Sequence, residues 1–126
     1  LTNTDWKVYL SRQSIGDFQI ARAGWIGDYL DPKSFLDMMV TGRGNNQTGW
    51  SNKEFDNLLI AAANSTSQVQ RFNNFYEAEK ILMDEMPIIP IYTYTRIYML
   101  HEDVQGWGNN LLDSRPYQFV YLENKK

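Results

Sequence analysis

The chain of 126 residues contains no cysteine and a single histidine, His101. Zinc sites built from clusters of cysteine and histidine, and catalysis by a cysteine nucleophile, are therefore excluded. The absence of cysteine fits an exported protein that avoids stray disulfides, although cytosolic proteins can also lack it. We expect neither a metal nor another cofactor.

The sequence also lacks an excess of basic charge and a long apolar run. Its 12 basic and 15 acidic residues give a net charge of −3, which provides no electrostatic footprint for nucleic acid. The longest apolar run, residues 88–94, is interrupted by Pro90 and is far shorter than the about 20 residues that span a bilayer. We therefore expect no nucleic-acid partner, and membrane association only through an anchor outside this segment.

The chain begins at Leu1 without a methionine or a signal-like stretch, which predicts a processed protein or a segment of a longer one. It does contain 43% hydrophobic and 14% aromatic residues, which exclude a disordered polymer. At this length a single core is expected, with about two-thirds of the unfolded surface buried. The chain should therefore be one domain or a piece of one.

The first part of the sequence predicts two helices. Thr4 can cap a helix that carries apolar residues at i, i+3 and i+4 and stops before Gly16. Asp31 and Pro32 are the residue types of an N-cap and a first helical position, so they predict the start of a second helix. Gly42 is the stop signal for that helix.

Two longer helices are predicted after a glycine-rich loop. Ser51, with Glu54 three residues later, has the pattern of a capping box and predicts a third helix ending near Asn64. The fourth helix is predicted over residues 68–85, because Pro87 halts it. The residues expected on its inner side are Val69, Phe72, Phe75, Tyr76, Leu82 and Met86.

Three segments have the pattern of extended strands. Residues 18–24 alternate with a period of two until a glycine ends the pattern. Residues 88–100 are rich in Ile and Tyr, and residues 117–122 alternate again. Because the first strand has no partner nearby in the sequence, we expect other strands of its sheet to be missing from this chain.

Arg22 and Asp28 are the residues that most need a functional explanation. Arg22 shares one side of the predicted strand with apolar residues and needs an anion, which is either a ligand carboxylate or an internal Asp or Glu. Asp28 follows Trp25 in a glycine-containing loop, which suits an ammonium group. The alternative is an Asx-turn, in which the side chain bonds its own backbone.

Asp28 and Asp31 are also an alternative acid and base pair, which would suit a small α/β hydrolase or transferase. Asp31 is better explained as a helix cap. Asn45, in the glycine-rich loop, can bind a peptide-like ligand or serve its own turn. Tyr92 and Tyr94 share one strand face, so each belongs either to the core or to a pocket wall.

One stretch carries a specific resemblance. It comprises residues 17–29 (DFQIARAGWIGDY), followed by Asp31-Pro32 and Phe35-Leu36. In this stretch the chain closely resembles the oligopeptide-binding proteins of bacterial ABC importers, in the family of extracellular solute-binding proteins that includes dipeptide, nickel and opine receptors. The agreement continues through residues 51–58 (SNKEFDNL) and 87–92 (PIIPIY) into the final strands.

The resemblance implies an α/β fold with two lobes, of the periplasmic-binding-protein type II-like kind, of which this chain would be a C-terminal fragment. Residues 1–94 would form part of the C-terminal, ligand-binding lobe. Residues 95–126 would cross the hinge and return as the terminal strands of the N-terminal lobe. The fragment would complete neither lobe, which accounts for the missing strands.

The resemblance also implies a receptor without catalytic activity. An oligopeptide would lie between the lobes as an added strand, held by main-chain hydrogen bonds. Asp28 would pair with the α-ammonium group of the peptide, and Arg22 would meet a carboxylate. Gly24, Trp25 and Ile26 would supply the pairing backbone, and the indole of Trp25 would also wall a pocket. The further pocket residues implied by the resemblance are Trp6, Asn45 and Tyr94.

The implied partners are the oligopeptide and the permease subunits of an ABC importer. The implied location is the periplasm, or the outer face of the cytoplasmic membrane in the case of a lipoprotein. Within the same family, a nickel chelate, haem or an oligosaccharide is the alternative ligand. A protein-interaction module without a small ligand is the alternative from another class.

Overall fold

Helices make up most of the regular structure. A computed structural model describes residues 2–108, 110, 112 and 114–123. Within these residues the α-helices are α1 (Trp6–Ser14), α2 (Lys33–Leu36), α3 (Lys53–Asn64) and α4 (Gln68–Glu85). In the same part of the chain, 3-10 helices occur at Asp37–Met39 and Tyr117–Phe119. The strands β1 (Val104–Gln105) and β2 (Tyr121–Leu122) pair in an antiparallel orientation.

The core is the contact between α3 and α4, with α2 packed beside it. Apolar residues recur along each long helix at intervals of three or four, which aligns them on one face. The buried residues are Phe55, Leu59 and Ala62 of α3, Phe75, Ala78 and Leu82 of α4, and Leu36 and Met39 of the α2 region. Each large side chain buried here contributes about 1.5–3 kcal/mol to folding.

Side-chain caps set where the long helices begin. Asn52 accepts a hydrogen bond from the backbone N–H three residues later at 3.0 Å, so α3 starts there. The prediction of a capping box at Ser51 is therefore wrong by one residue, because asparagine caps a helix as well as serine does. Ser67 caps α4, whose predicted bounds are confirmed. Asp5, and not Thr4, caps α1 because its carboxylate accepts from the backbone N–H two residues later.

The predicted inner side of α4 is only partly correct. Phe75 and Leu82 are buried as predicted. The other members of the predicted set are between 43% and 72% exposed, and they are Val69, Phe72, Tyr76 and Met86. These four residues are exposed because α3 and the α2 region cover only one narrow stripe of the α4 surface. Within the described residues, no helix combines the length and the apolar composition needed to cross a membrane.

The predicted second helix is present but short. It begins at Lys33, one residue after the predicted start, and tightens into the 3-10 turn at Asp37–Met39. The side chain of Asp31 accepts a hydrogen bond from the backbone N–H of Lys33 at 2.9 Å. The carboxylate therefore supports the start of α2, as the sequence predicts for a residue of this type.

The predicted strands are mostly unpaired. Residues 18–24 and 88–100 form no strand ladder in the described part of the chain, so the two strand predictions are wrong for this structure. Over residues 117–122 the chain starts as a 3-10 turn and pairs only at β2. A strand is defined by hydrogen bonds to a neighbour, and the described residues supply none for the first two segments. Their backbone edges therefore remain open.

The described residues between positions 95 and 123 contain a short strand pair and an aromatic cluster. Val104 of β1 lies opposite Leu122 of β2. The guanidinium of Arg115 lies 4.8 Å from the centre of the Trp107 ring, within the range of a cation–π contact. Positions 109, 111, 113 and 124–126, and position 1, lie outside the described residues.

Replacing Phe55 by alanine should lower the free energy of unfolding by about 3–5 kcal/mol, because a fully buried ring is lost and a cavity remains. Ile60→Ala on the same helix is the control, since Ile60 is 59% exposed and its truncation should change stability by only about 0.5 kcal/mol. Urea titration followed by circular dichroism measures both variants. Equal losses in the two variants would contradict the assigned core.

Candidate functional site

The loop that carries Trp25 and Asp28 is fastened to α2. The indole Nε1–H of Trp25 donates a hydrogen bond to the backbone carbonyl of Ser34 at 2.9 Å. The backbone N–H of Asp28 donates to the Oγ of Ser34 at 2.7 Å. Both residues are thus held by the same serine, which itself is buried.

The carboxylate of Asp28 can be reached by a ligand. Asp28 is exposed, and its side chain makes no hydrogen bond or ion pair within the described residues. The Asx-turn alternative is not observed, because within the described residues no backbone N–H donates to the Asp28 carboxylate. A free carboxylate beside a half-buried indole is suited to a cationic ligand group.

Asp28 has both acidic and basic neighbours. Burial raises the pKa of the Tyr29 phenol, the carboxylates of Asp37, Asp31 and Asp28 raise it further, and Arg43 lowers it. Asp37 forms an ion pair with Arg43 at 2.7 Å, and Asp31 is paired as well, so within the described residues Asp28 is the member of this group without an ion pair.

Asp31 is already engaged by two partners. One carboxylate oxygen accepts the hydrogen bond from the backbone of Lys33, and the other forms an ion pair with the Nη2 of Arg71 at 2.7 Å. The pair is only about one-quarter exposed on each side and joins the start of α2 to α4. This arrangement favours the structural role of Asp31 over a role as the catalytic partner of Asp28.

Arg22 meets tyrosines rather than acids. Its guanidinium donates a hydrogen bond to the phenol of Tyr94, and it forms no salt bridge with an Asp or Glu in the described part of the chain. The phenol of Tyr9 in α1 donates to the backbone carbonyl of Arg22 at 2.6 Å. The side chain is exposed, and because residues 18–24 join no sheet within the described residues, Arg22 does not lie on a buried sheet face.

The side chains of Arg22, Tyr92 and Tyr94 shift the pKa values of one another. A hydrogen bond with Tyr92 raises the pKa of Arg22. The hydrogen bond with Tyr94 is the largest cause that lowers the pKa of Tyr92, and the same contact raises the pKa of Tyr94. The two rings meet edge to face with their centres 4.6 Å apart. We call these three residues the Arg–Tyr cluster.

The structure brings some of the remaining predicted residues to this cluster. A Cβ added at Gly24 would lie 3.9 Å from Cε2 of Tyr94, so the loop backbone passes next to the cluster. Trp6 stacks on Tyr9 with ring centres 5.1 Å apart, and Tyr9 in turn reaches the backbone of Arg22. These contacts link α1, the loop and residues 92–94.

Asn45 and Ile26 have no such contacts. Both residues are exposed. Within the described residues, no hydrogen bond joins the Asn45 side chain to the loop that carries Trp25 and Asp28. The neighbouring Asn46 serves its own turn, because its Nδ2 donates to the carbonyls of Met39 at 3.0 Å and Trp50 at 2.9 Å. Among the described residues, no group of three or more His, Asp or Glu side chains could hold a metal ion.

Sequence reasoning missed Ser34 and the role of Tyr9. A serine in a short helix is usually exposed, so the sequence contains no signal that this one is buried and bonded to the loop. Tyr9 lies on the apolar side of the predicted first helix, and only the folded chain brings its phenol to the backbone of Arg22.

Comparison with known proteins explains the open edges of this chain. No protein-family model matches it. It is 41% identical over 106 residues to the dipeptide-binding protein DppE of Bacillus subtilis and 41% identical over 107 residues to the oligopeptide-binding protein OppA of the same organism. Each match covers 84% of this chain and 20% of the relative. This chain is a homologue of part of the bacterial oligopeptide-binding proteins.

Solved structures agree with this assignment to the oligopeptide-binding proteins. The murein tripeptide binding protein MppA of Escherichia coli superposes with a TM-score of 0.87 at 32% identity, over 97% of this chain and 24% of that chain. OppA of Haemophilus influenzae, solved in complex with RPPGFSPFR, gives a TM-score of 0.86 at 27% identity, with the same coverage. The predicted fold class, part of a two-lobe solute-binding protein, is confirmed. The chain spans about a fifth of the length of the curated relatives it matches.

Replacing Tyr94 by phenylalanine should raise the pKa of Tyr92 toward the ordinary tyrosine value of about 10, because the hydrogen bond that lowers it most is removed. Arg22→Gln should also raise it, since the arginine lowers the pKa of Tyr92 both through a hydrogen bond and through its charge. Nuclear magnetic resonance of 13Cζ-labelled tyrosine during a pH titration measures both. An unchanged Tyr92 titration in both variants would show that the Arg–Tyr cluster does not form in solution.

Proposed function

We propose that this chain is part of the solute-binding component of an ABC importer, which captures oligopeptides between two lobes for transport. The observation that carries the proposal is the Asp28 carboxylate, which has no partner within the described residues and lies on the same loop as Trp25, fastened to α2 through Ser34. The curated relatives are binding proteins rather than enzymes. We extend this to the present chain and assign it no catalytic residues.

The names of the relatives support a peptide as the ligand. They include a dipeptide-binding protein, oligopeptide-binding proteins and a murein peptide-binding protein. One solved relative holds the peptide RPPGFSPFR. A peptide has a charged ammonium group at one end, a carboxylate at the other and a polar backbone between them, and each needs a complementary group in the receptor.

The proposed partner of the ammonium group is Asp28. Lobe closure would remove water from the pair, which strengthens the attraction as the local dielectric constant falls. The same closure costs desolvation of both charges, so the pair serves mainly to select ligands with a free N-terminus and to set their register.

The proposed partners of the peptide backbone are Gly24, Trp25 and Ile26. Within the described residues, the backbone groups of these three residues make no hydrogen bond to another segment. Unpaired N–H and C=O groups in an extended segment are the template to which a peptide adds as a strand. Such bonds hold any sequence, which suits a receptor for many peptides.

The other predicted residues complete the proposed site. Arg22, held by Tyr94, offers a guanidinium to a ligand carboxylate, which such a group binds well. Trp6 and Tyr94 are proposed as pocket walls because they connect to the backbone of the loop. Asn45 is also proposed as a pocket residue, and its only support is the sequence resemblance to the oligopeptide-binding proteins.

We propose further that residues 1–94 belong to the ligand-binding C-terminal lobe and that residues 95–126 return to the N-terminal lobe. The location is the periplasm or the outer face of the cytoplasmic membrane, since several relatives are named periplasmic proteins. The proposed partners are the permease subunits of the importer.

A non-peptide solute is the second candidate. One relative, the YgiS protein of Escherichia coli, is named as a probable deoxycholate-binding periplasmic protein and is 32% identical over 121 residues. Deoxycholate carries no ammonium group, so it would leave the carboxylate of Asp28 without a partner. The dependence of binding on a free N-terminus therefore separates the two candidates.

Asp28→Asn should weaken the binding of trialanine by about 30-fold or more, because loss of one partner of a desolvated charge pair costs about 2 kcal/mol or more. N-acetyl-trialanine should bind poorly to the unaltered receptor for the same reason. Isothermal titration calorimetry on a complete two-lobe receptor carrying this sequence measures both effects.

The matched control is Asp84→Asn, which makes the same change of charge at an exposed position of α4. It should leave the affinity for trialanine unchanged. Equal affinity for free and acetylated peptide would reject the role of Asp28 and favour a solute without an ammonium group.

A further inference from the structure

Ser34 is the buried polar side chain of the described core. It lies in α2, and 4% of its surface is exposed. Buried polar groups are costly unless hydrogen bonds compensate for the lost water. A serine in this place therefore calls for a reason beyond packing, because alanine would fill most of the same space without that cost.

The backbone groups and the hydroxyl oxygen of Ser34 bond residues of the loop in front of α2. Its backbone N–H donates to the carbonyl of Asp31 at 3.0 Å. Its carbonyl accepts from the indole of Trp25 at 2.9 Å, and its Oγ accepts from the backbone N–H of Asp28 at 2.7 Å. One residue thus holds the two loop residues to which the proposed function gives the main ligand contacts.

The loop lies directly against α2 at Gly27. A Cβ added there would lie 3.0 Å from Cε2 of Phe35 and 3.4 Å from the Oγ of Ser34. The first distance is tighter than ordinary packing and the second is at its edge, so a Cβ here would require the exposed Phe35 ring or the loop to shift slightly. The loop backbone at Gly27 thus passes close to both the ring and the Ser34 hydroxyl group.

The helix that carries Ser34 is itself fixed. Leu36 and Met39 are buried in the core, and the ion pair of Asp31 with Arg71 ties the start of α2 to α4. Rigid support of this kind is what a binding group needs if it is to meet its ligand without reorganisation.

We propose that Ser34 is a positioning residue, which sets the orientation of Trp25 and Asp28 and thereby the preference of the receptor for peptides with a free N-terminus. The inference rests on the proposed function, since it concerns how the Asp28 carboxylate is aimed at the ammonium group. Ser34 touches no ligand itself. It acts through the backbone of Asp28 and the indole of Trp25.

The test is Ser34→Ala in a complete two-lobe receptor carrying this sequence, titrated by calorimetry with trialanine and with N-acetyl-trialanine. The variant leaves the N–H of Asp28 without its acceptor, so the affinity for trialanine should fall about tenfold. The affinity for the acetylated peptide should change little. The preference for the free N-terminus should therefore shrink by about the same factor of ten.

Hydrogen exchange of the unliganded receptor provides a second readout. Without its acceptor, the backbone N–H of Asp28 should exchange about tenfold faster in Ser34→Ala. Ser67→Ala is the matched control: it loses the cap of α4 and should change neither the preference nor the exchange at Asp28.

Two results would overturn the inference. One is an equal loss of affinity for both peptides in Ser34→Ala, which would indicate a general structural role. The other is an unchanged exchange rate at Asp28. If the unaltered receptor does not distinguish the two peptides, the proposed function of Asp28 fails, and the exchange comparison still decides whether Ser34 holds the loop.

Discussion

The burial of one face of α3 against one face of α4 is the interaction on which the rest of the chain depends. It forms a core to which the short helix α2 attaches through Leu36 and Met39. An isolated helix of four residues is not stable in water, so α2 exists because this core holds it. The loop with Trp25 and Asp28 is then fastened to α2, and the candidate site inherits its geometry from the helix pair.

Much of the remaining described chain lacks regular structure. Ile97 and Met99 are 92% and 100% exposed, and the segment around them has no strand partner in the described residues. A solved relative contains about four times as much chain as this one. The unpaired segments are consistent with a chain that matches only about a quarter of that protein.

The candidate site combines two kinds of groups with different physical roles. Backbone groups at residues 24–26 have no hydrogen-bond partner within the described residues, and in the proposed function they would pair with a ligand of any sequence. The charges of Asp28 and Arg22 would instead set the direction and register of the ligand under the same proposal. The support of the loop by α2 bears on that proposal, because a mobile carboxylate would follow many ligand geometries.

The sequence by itself determined the long helices, the role of Asp31 at the start of α2 and the likeness to peptide receptors. Helix hydrogen bonds and caps join residues at most four positions apart. The bounds of α4 can therefore be predicted from the local sequence. Only the tertiary structure decided that Ser34 is buried, that Arg22 meets a tyrosine 72 positions away and that residues 18–24 find no strand partner. These outcomes depend on which distant segments meet, and no local pattern of residues encodes that.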